Sequence, residues 1–581
     1  MTLILEQPIL ETESKPLISK ANITGAEAVI LSLLAEGVDT IFGYPGGAIM
    51  PIYDALYDFE DKIKHHLVRH EQGAVHAAQG FARVRRKAGV CFATSGPGAT
   101  NLITGIADAM IDSTPVVCIT GQVPRALLGT DAFQETDVVG ISMPVTKWNF
   151  QVTEAKEIPE AIAKAFYIAQ SGRPGPVLVD ITKNAQFEKF DFEYRKCVKI
   201  RSYKPKRKPQ EDKIEAAAQL INEAKKPLIL MGQGVILAKA QDQLRHFIEK
   251  TGIPVASTLL GLSGLSTQHP LYVGYLGMHG NYSPNIKSNE ADLIIAIGMR
   301  FDDRVTGNLN SYLKQAKIIH IEIDPAEIDK NVKTDVAIIA DAKDALEVLI
   351  QKVEPNTHTQ WINEFKELDK MEYEKVIKRD FSANTEKVKM SEVIKMLSDK
   401  TAGKAIIVTD VGQHQMVATR YYQFDETESN ITSGGLGTMG FALPAAIGAK
   451  IGRPDREVIM IAGDGGFQMT VQELGVIMQY NVGVKIIVLN NNFLGMVRQW
   501  QQLFFDRRYS FTEMCNPDFV KLAEAYRIPA QKVDKREDVA AALDQMLQHN
   551  GSYFLEIVVE KEENVFPMVA SGASISDIRL E

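Results

Sequence analysis

The chain has 581 residues, more than a single hydrophobic core serves, so about three or four domains are expected. Hydrophobic residues make up 45% of it and charged residues 24%, the balance of an ordinary soluble globular protein. The net charge of −9 argues against a broad nucleic-acid surface, and no apolar run is long enough to span a bilayer.

Residues 1–20, MTLILEQPILETESKPLISK, carry Glu6, Glu11 and Glu13 and lack a basic start followed by a long apolar block. They read as a mobile tail, neither a secretory signal nor a clear transit peptide. The expected location is a bacterial cytoplasm, or a plastid stroma if the chain is plastid-encoded. Cys91, Cys118, Cys197 and Cys515 are scattered without a C-x-x-C pair and read as reduced structural thiols.

From 21 to 186, strand-like and helix-like segments alternate: VDTIFGYPGG, KHHLVRH before EQGAVHAAQGFARV, GVCFATSGPGATN, TPVVCITGQ and GPVLVDIT. Gly or Pro follows most of these strands, which predicts a doubly wound parallel sheet. His65-His66 lies inside a predicted strand and reads as structural. Residues 187–212, ending near YKPKRKPQED, read as a solvated linker. Residues 213–351 (KPLILMGQG, ADLIIAIGMRFDDR, KIIHIEIDP) form a second α/β block, and 352–387 a polar, helix-prone connector. Residues 388–560 repeat the strand–helix logic of the first block without a visible sequence repeat. The last stretch, 561–581, reads as a frayed end, with an active-site lid as the alternative. The fold class expected is α/β with three doubly wound parallel-sheet domains.

The most informative stretch runs from Arg456 to Trp500. The apolar run Val458–Ala462 ends in Gly463-Asp464-Gly465-Gly466, and Ile486–Leu489 ends in Asn490-Asn491. Two short apolar runs with a helix between them predict buried parallel strands of a βαβ unit. Both polar tips then lie at the carboxyl edge of one sheet, where open α/β sheets bind ligands. A carboxylate beside an amide oxygen suits Mg²⁺, which fills its octahedron with water and phosphate oxygens. A tight turn and an Asn-rich loop is the plainer alternative. Thr470 and Glu473 have capping-box spacing.

Other residues carry chemistry with less force. Glu71 sits at a strand-to-helix transition before an Ala-rich helix, fitting either a partly buried carboxyl or a first-turn Glu favoured by the helix dipole. SGGLGTMGFALPAAIG, with Gly435, Gly437 and Met439, is a Gly-rich helix entry whose amides suit phosphate. Met439 could equally be a core methionine. Gly232-Gln233-Gly234 after a strand is a weak dinucleotide signal. Arg304 could pair bidentately with a carboxylate, or make a surface salt bridge to Asp302 or Asp303. Trp500 could shape a pocket or fill a core.

The GDG…NN pattern resembles that of thiamine-diphosphate enzymes. Together with RHEQGA after FGYPGGAIMPIYDAL, and with GMHG, GMRFDDRVTG and IEID, it resembles the acetohydroxyacid synthase (acetolactate synthase) family, in matching order from about Ile23 to Val559. The resemblance implies a pyrimidine-binding domain (21–186), a central FAD-binding domain (213–351) and a diphosphate-binding domain (388–560). It implies that thiamine diphosphate is held by Glu71, Gly435, Gly437, Met439, Gly463, Asp464, Gly465, Gly466 and Asn491. Mg²⁺ would sit on Asp464, Asn491 and the main-chain carbonyl of Phe493. Glu71 would activate the cofactor as a proton relay, with Gln134 and Lys183 near the active site. FAD contacts are implied for Arg173, Gly232, Gly234, Thr258, Leu259, Met278, His279, Gly298, Arg300, Asp302, Arg304, Val305, Glu322, Ile323 and Asp341, the flavin being structural in that family. Arg304 and Trp500 would meet substrate.

The activity implied is decarboxylation of pyruvate and ligation of the remainder to a second 2-oxo acid. Pyruvate as acceptor gives 2-acetolactate, and 2-oxobutyrate gives 2-aceto-2-hydroxybutyrate, the first common step towards valine, leucine and isoleucine. A homodimer, or a homotetramer, and a small regulatory subunit are implied as well, with no nucleic acid or membrane partner. Glu71 of one chain would face the Asp464 motif of another. The alternatives are a pyruvate oxidase-like enzyme using the same two cofactors, against which Arg304 and Trp500 speak, and a non-catalytic scaffold, against which Glu71, Asp464 and Asn491 speak. Related decarboxylases carry their histidine pair after the glutamate, whereas His65-His66 precedes Glu71.

Overall fold

The computed structural model describes residues 10–581. They fall into two compact units. The first comprises the chain up to Pro205 together with Gly435–Pro454 and Thr470–Val482; the second holds Lys206–Gly434, Asp455–Met469 and Gly483–Glu581.

The first unit begins with β1 (Leu10–Thr12) and β2 (Ile18–Thr24). Its main sheet is built from β3 (Thr40–Gly43), β4 (Lys64–Leu67), β5 (Gly89–Ala93), β6 (Val116–Gln122), β7 (Trp148–Val152) and β8 (Pro176–Thr182), followed by β9 (Lys189–Tyr194) and β10 (Cys197–Ile200). The six main strands are all parallel, in the order β4-β3-β5-β6-β8-β7. Near-continuous apolar runs such as Val116-Val117-Cys118-Ile119 suit a sheet covered on both faces, and these residues are fully buried.

Two expectations for this region need correction. Residues 10–20 are not a mobile tail, and 187–200 are not a solvated linker. β2 pairs antiparallel with β9, and β1 with β10. The reason is apolar content at alternate positions: Ile23, Phe192, Tyr194, Cys197 and Ile200 are buried in the first core, with Leu10, Ile18 and Phe190 packed against it. Residues 1–9 of the expected tail lie outside the described residues. His65 and His66 sit on the edge strand β4. His65 Nε2 meets Tyr53 Oη at 2.9 Å, and the His66 ring stacks on Phe42. Burial lowers both imidazoles to about 4, as expected of structural histidines.

The helix Glu71–Arg85 follows β4, and within this unit it crosses the helix Ala442–Gly452. Small residues make the crossing: a Cβ on Gly80 would stand 1.9 Å from the Ala445 carbonyl oxygen, and one on Gly448 1.8 Å from that of Ala77.

The second unit contains two further six-stranded parallel sheets. The middle one uses β11 (Pro227–Met231), β12 (Val255–Ser257), β13 (Tyr272–Tyr275), β14 (Leu293–Ile297), β15 (Lys317–Glu322) and β16 (Val336–Ile339), in the order β13-β12-β11-β14-β15-β16. That is the dinucleotide-binding order, with the strand sequence reversing between β11 and β14. The last sheet uses β17 (Ile406–Thr409), β18 (Asn430–Thr432), β19 (Val458–Gly463), β20 (Lys485–Asn490), β21 (Ala530–Val533) and β22 (Tyr553–Val558), ordered β18-β17-β19-β20-β22-β21. Counted from its own first strand, this is the order of the first sheet, so the first and third blocks share one topology.

The connector is helical from Thr359 to Asp380, with a π-turn at Tyr373–Ile377. Glu372, just before that turn, pairs with the buried Arg420. The C-terminal stretch is not frayed. Phe566, Met568, Ile575 and Leu580 are buried, Val569 N donates to Met278 O at 2.8 Å, and Asn308 N to Ala573 O at 2.9 Å. Its weak periodicity hid these anchors, because extended chain that packs through scattered residues has no repeat to read. Among the described residues no helix is long and apolar enough to cross a membrane.

Candidate active site

The order of the last sheet reverses between β17 and β19, and the tips of those strands carry the polar residues. Asp464 follows β19 and is fully buried. Asn516 donates from Nδ2 to its Oδ2 at 2.6 Å, whereas its Oδ1 is buried without a hydrogen-bond partner. Burial pushes the carboxyl up to about 6. Next to it, β20 ends at Asn490, and the Asn491 Oδ1 accepts the Phe493 amide at 3.1 Å. Asn490 Oδ1 accepts from Asn492 N and from Asn516 Nδ2, each at 3.0 Å, while Asn490 Nδ2 donates to the buried Glu556 at 2.8 Å. Gly466 is closely packed, and a Cβ there would stand 2.5 Å from Asp410 Oδ1, so that carboxylate would have to shift. Gly463 and Gly465 complete the turn.

A histidine that the sequence reading passed over sits at the same switch point. His414 follows β17 within Gly412-Gln413-His414; it is buried, and its Nε2 has no partner. Its ring lies against Gly412 and Gly463. Burial lowers it to about 4, so it is neutral near pH 7 and Nε2 is open for one hydrogen bond. The available signal was a Gly-Gln-His directly after a predicted strand.

Among the described residues no group of three or more His, Cys, Asp or Glu is placed to hold a metal. One carboxylate with an orphaned oxygen beside one side-chain amide instead suits a hard cation that keeps water and phosphate as its other ligands.

In the first unit Glu71 opens its helix and is buried. Asn101 donates from Nδ2 to Glu71 Oε2 at 2.9 Å, a contact not visible in the sequence. The other carboxyl oxygen is close to Gly98, where a Cβ would come within 3.2 Å of Oε1. Gln134 is exposed with φ +60, and its carbonyl lies against Gly96 of the loop after β5. Lys183 starts the short helix after β8 and is half-buried. Gly435 and Gly437 are exposed and Met439 half-buried; Gly435 N donates to Asp112 Oδ1 at 2.7 Å. The capping box expected at Thr470 and Glu473 does not form. Thr470 Oγ1 donates instead to Gly440 O at 2.9 Å, and the Glu473 carboxylate accepts the Arg69 amide. Tertiary partners outcompete the local cap.

The middle sheet collects the third group of residues. Gly232 follows β11 and Gly298 follows β14, flanking the reversal, and a Cβ on Gly232 would stand 2.1 Å from Gly298 O. Gly234 N donates to that carbonyl at 2.9 Å. Thr258 and Leu259 follow β12, Met278 and His279 follow β13, Glu322 and Ile323 lie at the end of β15, and Asp341 follows β16. His279 is buried with an unpartnered Nδ1. Asp302 accepts the amides of Arg304 and Val305 at 3.1 and 3.3 Å, and Arg300 lies 3.6 Å from it. Arg304 is exposed and only loosely paired, 3.7 Å from Asp303 and 3.3 Å from Met278 Sδ. Arg173 belongs to the first unit, where its Nε donates to Ser113 Oγ at 2.8 Å. Trp500 is half-buried against Phe504, beside the cluster of Val376, Phe566, Met568 and Leu580.

Models of three thiamine pyrophosphate enzyme domains match the chain: the N-terminal TPP binding domain at 23–141, the central domain at 214–349 and the C-terminal TPP binding domain at 410–557. The chain is 47% identical to the acetolactate synthase large subunit of Corynebacterium glutamicum, over 96% of this chain and 90% of that protein. It is also 47% identical to the acetolactate synthase isozyme 2 large subunit of Escherichia coli, over 96% and 99%. A probable acetolactate synthase large subunit of Methanocaldococcus jannaschii is 46% identical over 95% of both.

The chain belongs to the acetolactate synthase family.

Family membership gives the three sheets their meaning. The N-terminal TPP binding match holds β3 to β6 of the first sheet, and the C-terminal match holds most of the last sheet, which has the same strand order. Glu71 lies in the matched N-terminal segment, and Asp464, Asn491 and His414 in the C-terminal one. The expected α/β architecture of three parallel-sheet domains is the one this acetolactate synthase relative has.

Proposed function

We propose that this chain is the catalytic chain of an acetolactate synthase, joining the two-carbon remainder of pyruvate to a second 2-oxo acid with loss of CO₂. Pyruvate as acceptor gives 2-acetolactate, and 2-oxobutyrate gives 2-aceto-2-hydroxybutyrate. The observation that carries the reading is the orphaned Oδ1 of Asp464 beside Asn491 in a chain of this family, a half-finished cation site at the sheet's switch point.

Thiamine diphosphate, when bound, supplies the carbon centre at which a 2-oxo acid loses CO₂. Asp464, Asn491 and the Phe493 carbonyl would hold Mg²⁺ at its diphosphate, with His414 Nε2 offering a further hydrogen bond. Glu71 would hold and move the proton of the cofactor's pyrimidine ring; Asn101 keeps its carboxyl in one orientation. Asp464 and Glu71 lie in separate units. The pairing proposed is between Glu71 of one copy and the Asp464 motif of another, making a dimer the minimal active form. FAD would lie along the carboxyl edge of the middle sheet, where Gly232 and Gly298 let backbone approach a diphosphate and His279 Nδ1 awaits a partner. The loosely paired guanidinium of Arg304 would take the carboxylate of the incoming 2-oxo acid, and Trp500 would border the acceptor. The relatives named large subunits suggest a smaller regulatory partner.

The test is a product assay. The purified chain is incubated with pyruvate, thiamine diphosphate, Mg²⁺ and FAD, and acetolactate, acetaldehyde and peroxide are measured together. Acetolactate as the main product, lost in Glu71→Gln, is the expected result. Peroxide or acetaldehyde as the main product would replace the reading with an oxidase or a simple decarboxylase.

A further inference from the structure

The segment Thr470–Val482 follows the Asp464 motif in sequence but belongs to the first unit, and it is fastened to the turn that launches Glu71. Both oxygens of Glu473 accept the Arg69 amide, at 3.1 and 3.2 Å. The Arg69 side chain reaches back to the same segment, from Nη2 to Gly475 O at 3.1 Å and to Gln479 Oε1 at 2.7 Å. The Leu67 amide donates to Tyr480 Oη at 2.8 Å. The Glu473 carboxyl also lies over the first turn of the Glu71 helix: a Cβ on Gly73 would stand 2.7 Å from it. Backbone is thus held on either side of Glu71, by hydrogen bonds before it and by close packing two residues after it.

Glu473 is buried, and a buried carboxylate has to be compensated to be tolerated. The capping-box spacing from Thr470 is open to it in the sequence. The carboxylate instead serves the approach to Glu71.

We infer that Glu473 is a positioning residue for Glu71, fixing the Arg69–His70 turn so that the Glu71 carboxyl meets the cofactor's pyrimidine ring in one orientation. The inference rests on the role of Glu71 proposed above. Asn101 holds the Glu71 carboxyl itself, and Glu473 holds the backbone that carries it. The groups facing Glu473 are Arg69, His70 and Glu71, and burial pushes its carboxyl up to about 7, so its charge changes near neutrality.

The experiment reads the exchange of the C2 proton of bound thiamine diphosphate for deuterium, followed by NMR in the full chain with Mg²⁺ and FAD. This needs no substrate, so failure of the synthase reading leaves it intact. Glu71→Gln sets the floor. Glu473→Gln is expected to slow exchange about tenfold while the Kd for thiamine diphosphate stays within about threefold. In the parent, exchange should fall towards the Gln value as pH drops through about 7, and the Gln variant should lack that limb. If Glu473→Gln fails to fold, Gly73→Ala presses on the same carboxyl from the other side and should slow exchange in the same way. Exchange within twofold of the parent in the folded variant, with the pH limb unchanged, overturns the inference. So does an unchanged rate at Glu71→Gln, which would fail the Glu71 reading with it.

Discussion

Asn516 donates through Nδ2 to Oδ2 of Asp464 at 2.6 Å, and thereby decides which carboxylate oxygen stays open. The same Nδ2 group lies 3.0 Å from Oδ1 of Asn490 and of Asn492, so one side-chain amide ties the ends of β19 and β20 together. Glu556 and Lys532 continue the chain of contacts behind Asn490. Groups that orient a ligand in this way typically change metal affinity about 10- to 100-fold when removed. Asn516→Ala is therefore expected to weaken Mg²⁺ binding about tenfold in the presence of thiamine diphosphate. Titration calorimetry with Mg²⁺ measures it, and an unchanged affinity would show that Asp464 needs no such support.

Asn101 does for Glu71 what Asn516 does for Asp464, with a single hydrogen bond of 2.9 Å. Without it the carboxyl would regain rotamers that point away from the cofactor proposed to lie there. Asn101→Ala is expected to lower kcat for acetolactate formation about tenfold with the KM for pyruvate nearly unchanged, because the loss bears on a proton transfer and not on substrate binding. A rise in KM at constant kcat would place Asn101 at the substrate instead.

Much of this architecture is legible in the chain. Apolar runs ending in glycine mark β11, β14, β19 and β20, since strands buried on both faces leave continuous hydrophobic stretches. The short strands β12, β13 and β18 do not stand out, being three or four residues long with little pattern. β9 is harder to read for another reason: in Lys189–Tyr194 charged residues alternate with Phe190, Phe192 and Tyr194, so its composition resembles that of a solvated linker. Of the candidate site, the positions of Asp464 and Asn491 at strand tips are legible, because the apolar runs before them mark where each strand ends. Asn101, Asn516, His414 and the clamp from Glu473 are not, because each is defined by neighbours distant in sequence that only the fold brings together.

Glu563 gives the protein a pH-dependent stability that can be isolated. It is half-buried near Asp380, and desolvation, reinforced by that carboxylate, pushes its carboxyl from 4.5 up to about 7. The folded state therefore binds this proton more tightly than the unfolded chain. Stability from this group is fully present below about 4.5 and is lost as pH rises through about 7. Glu563→Gln keeps the shape and removes the titration. The melting temperature of the variant minus that of the parent should therefore increase between pH 5 and pH 8, by a few degrees. A difference independent of pH would mean that Glu563 is compensated in the folded protein.

The crossing of the Glu71 helix over Ala442–Gly452 rests on glycine at both contact points. Gly80 and Gly448 each bring a Cα against a carbonyl oxygen, at distances that leave no volume for a methyl group. The obstacle is backbone on both sides, so a neighbouring side chain cannot yield; one helix has to move. Overpacking of this kind typically costs about 1–3 kcal/mol. Gly448→Ala is expected to lower the melting temperature by several degrees, and because the displaced helix begins at Glu71, thiamine diphosphate binding should weaken with it. Gly47→Ala, where an added Cβ meets nothing within 4 Å, is the control for melting temperature. Equal melting of the Gly448 variant and the parent would mean that the two helices separate without cost, and that the Glu71 helix does not depend on this crossing for its place.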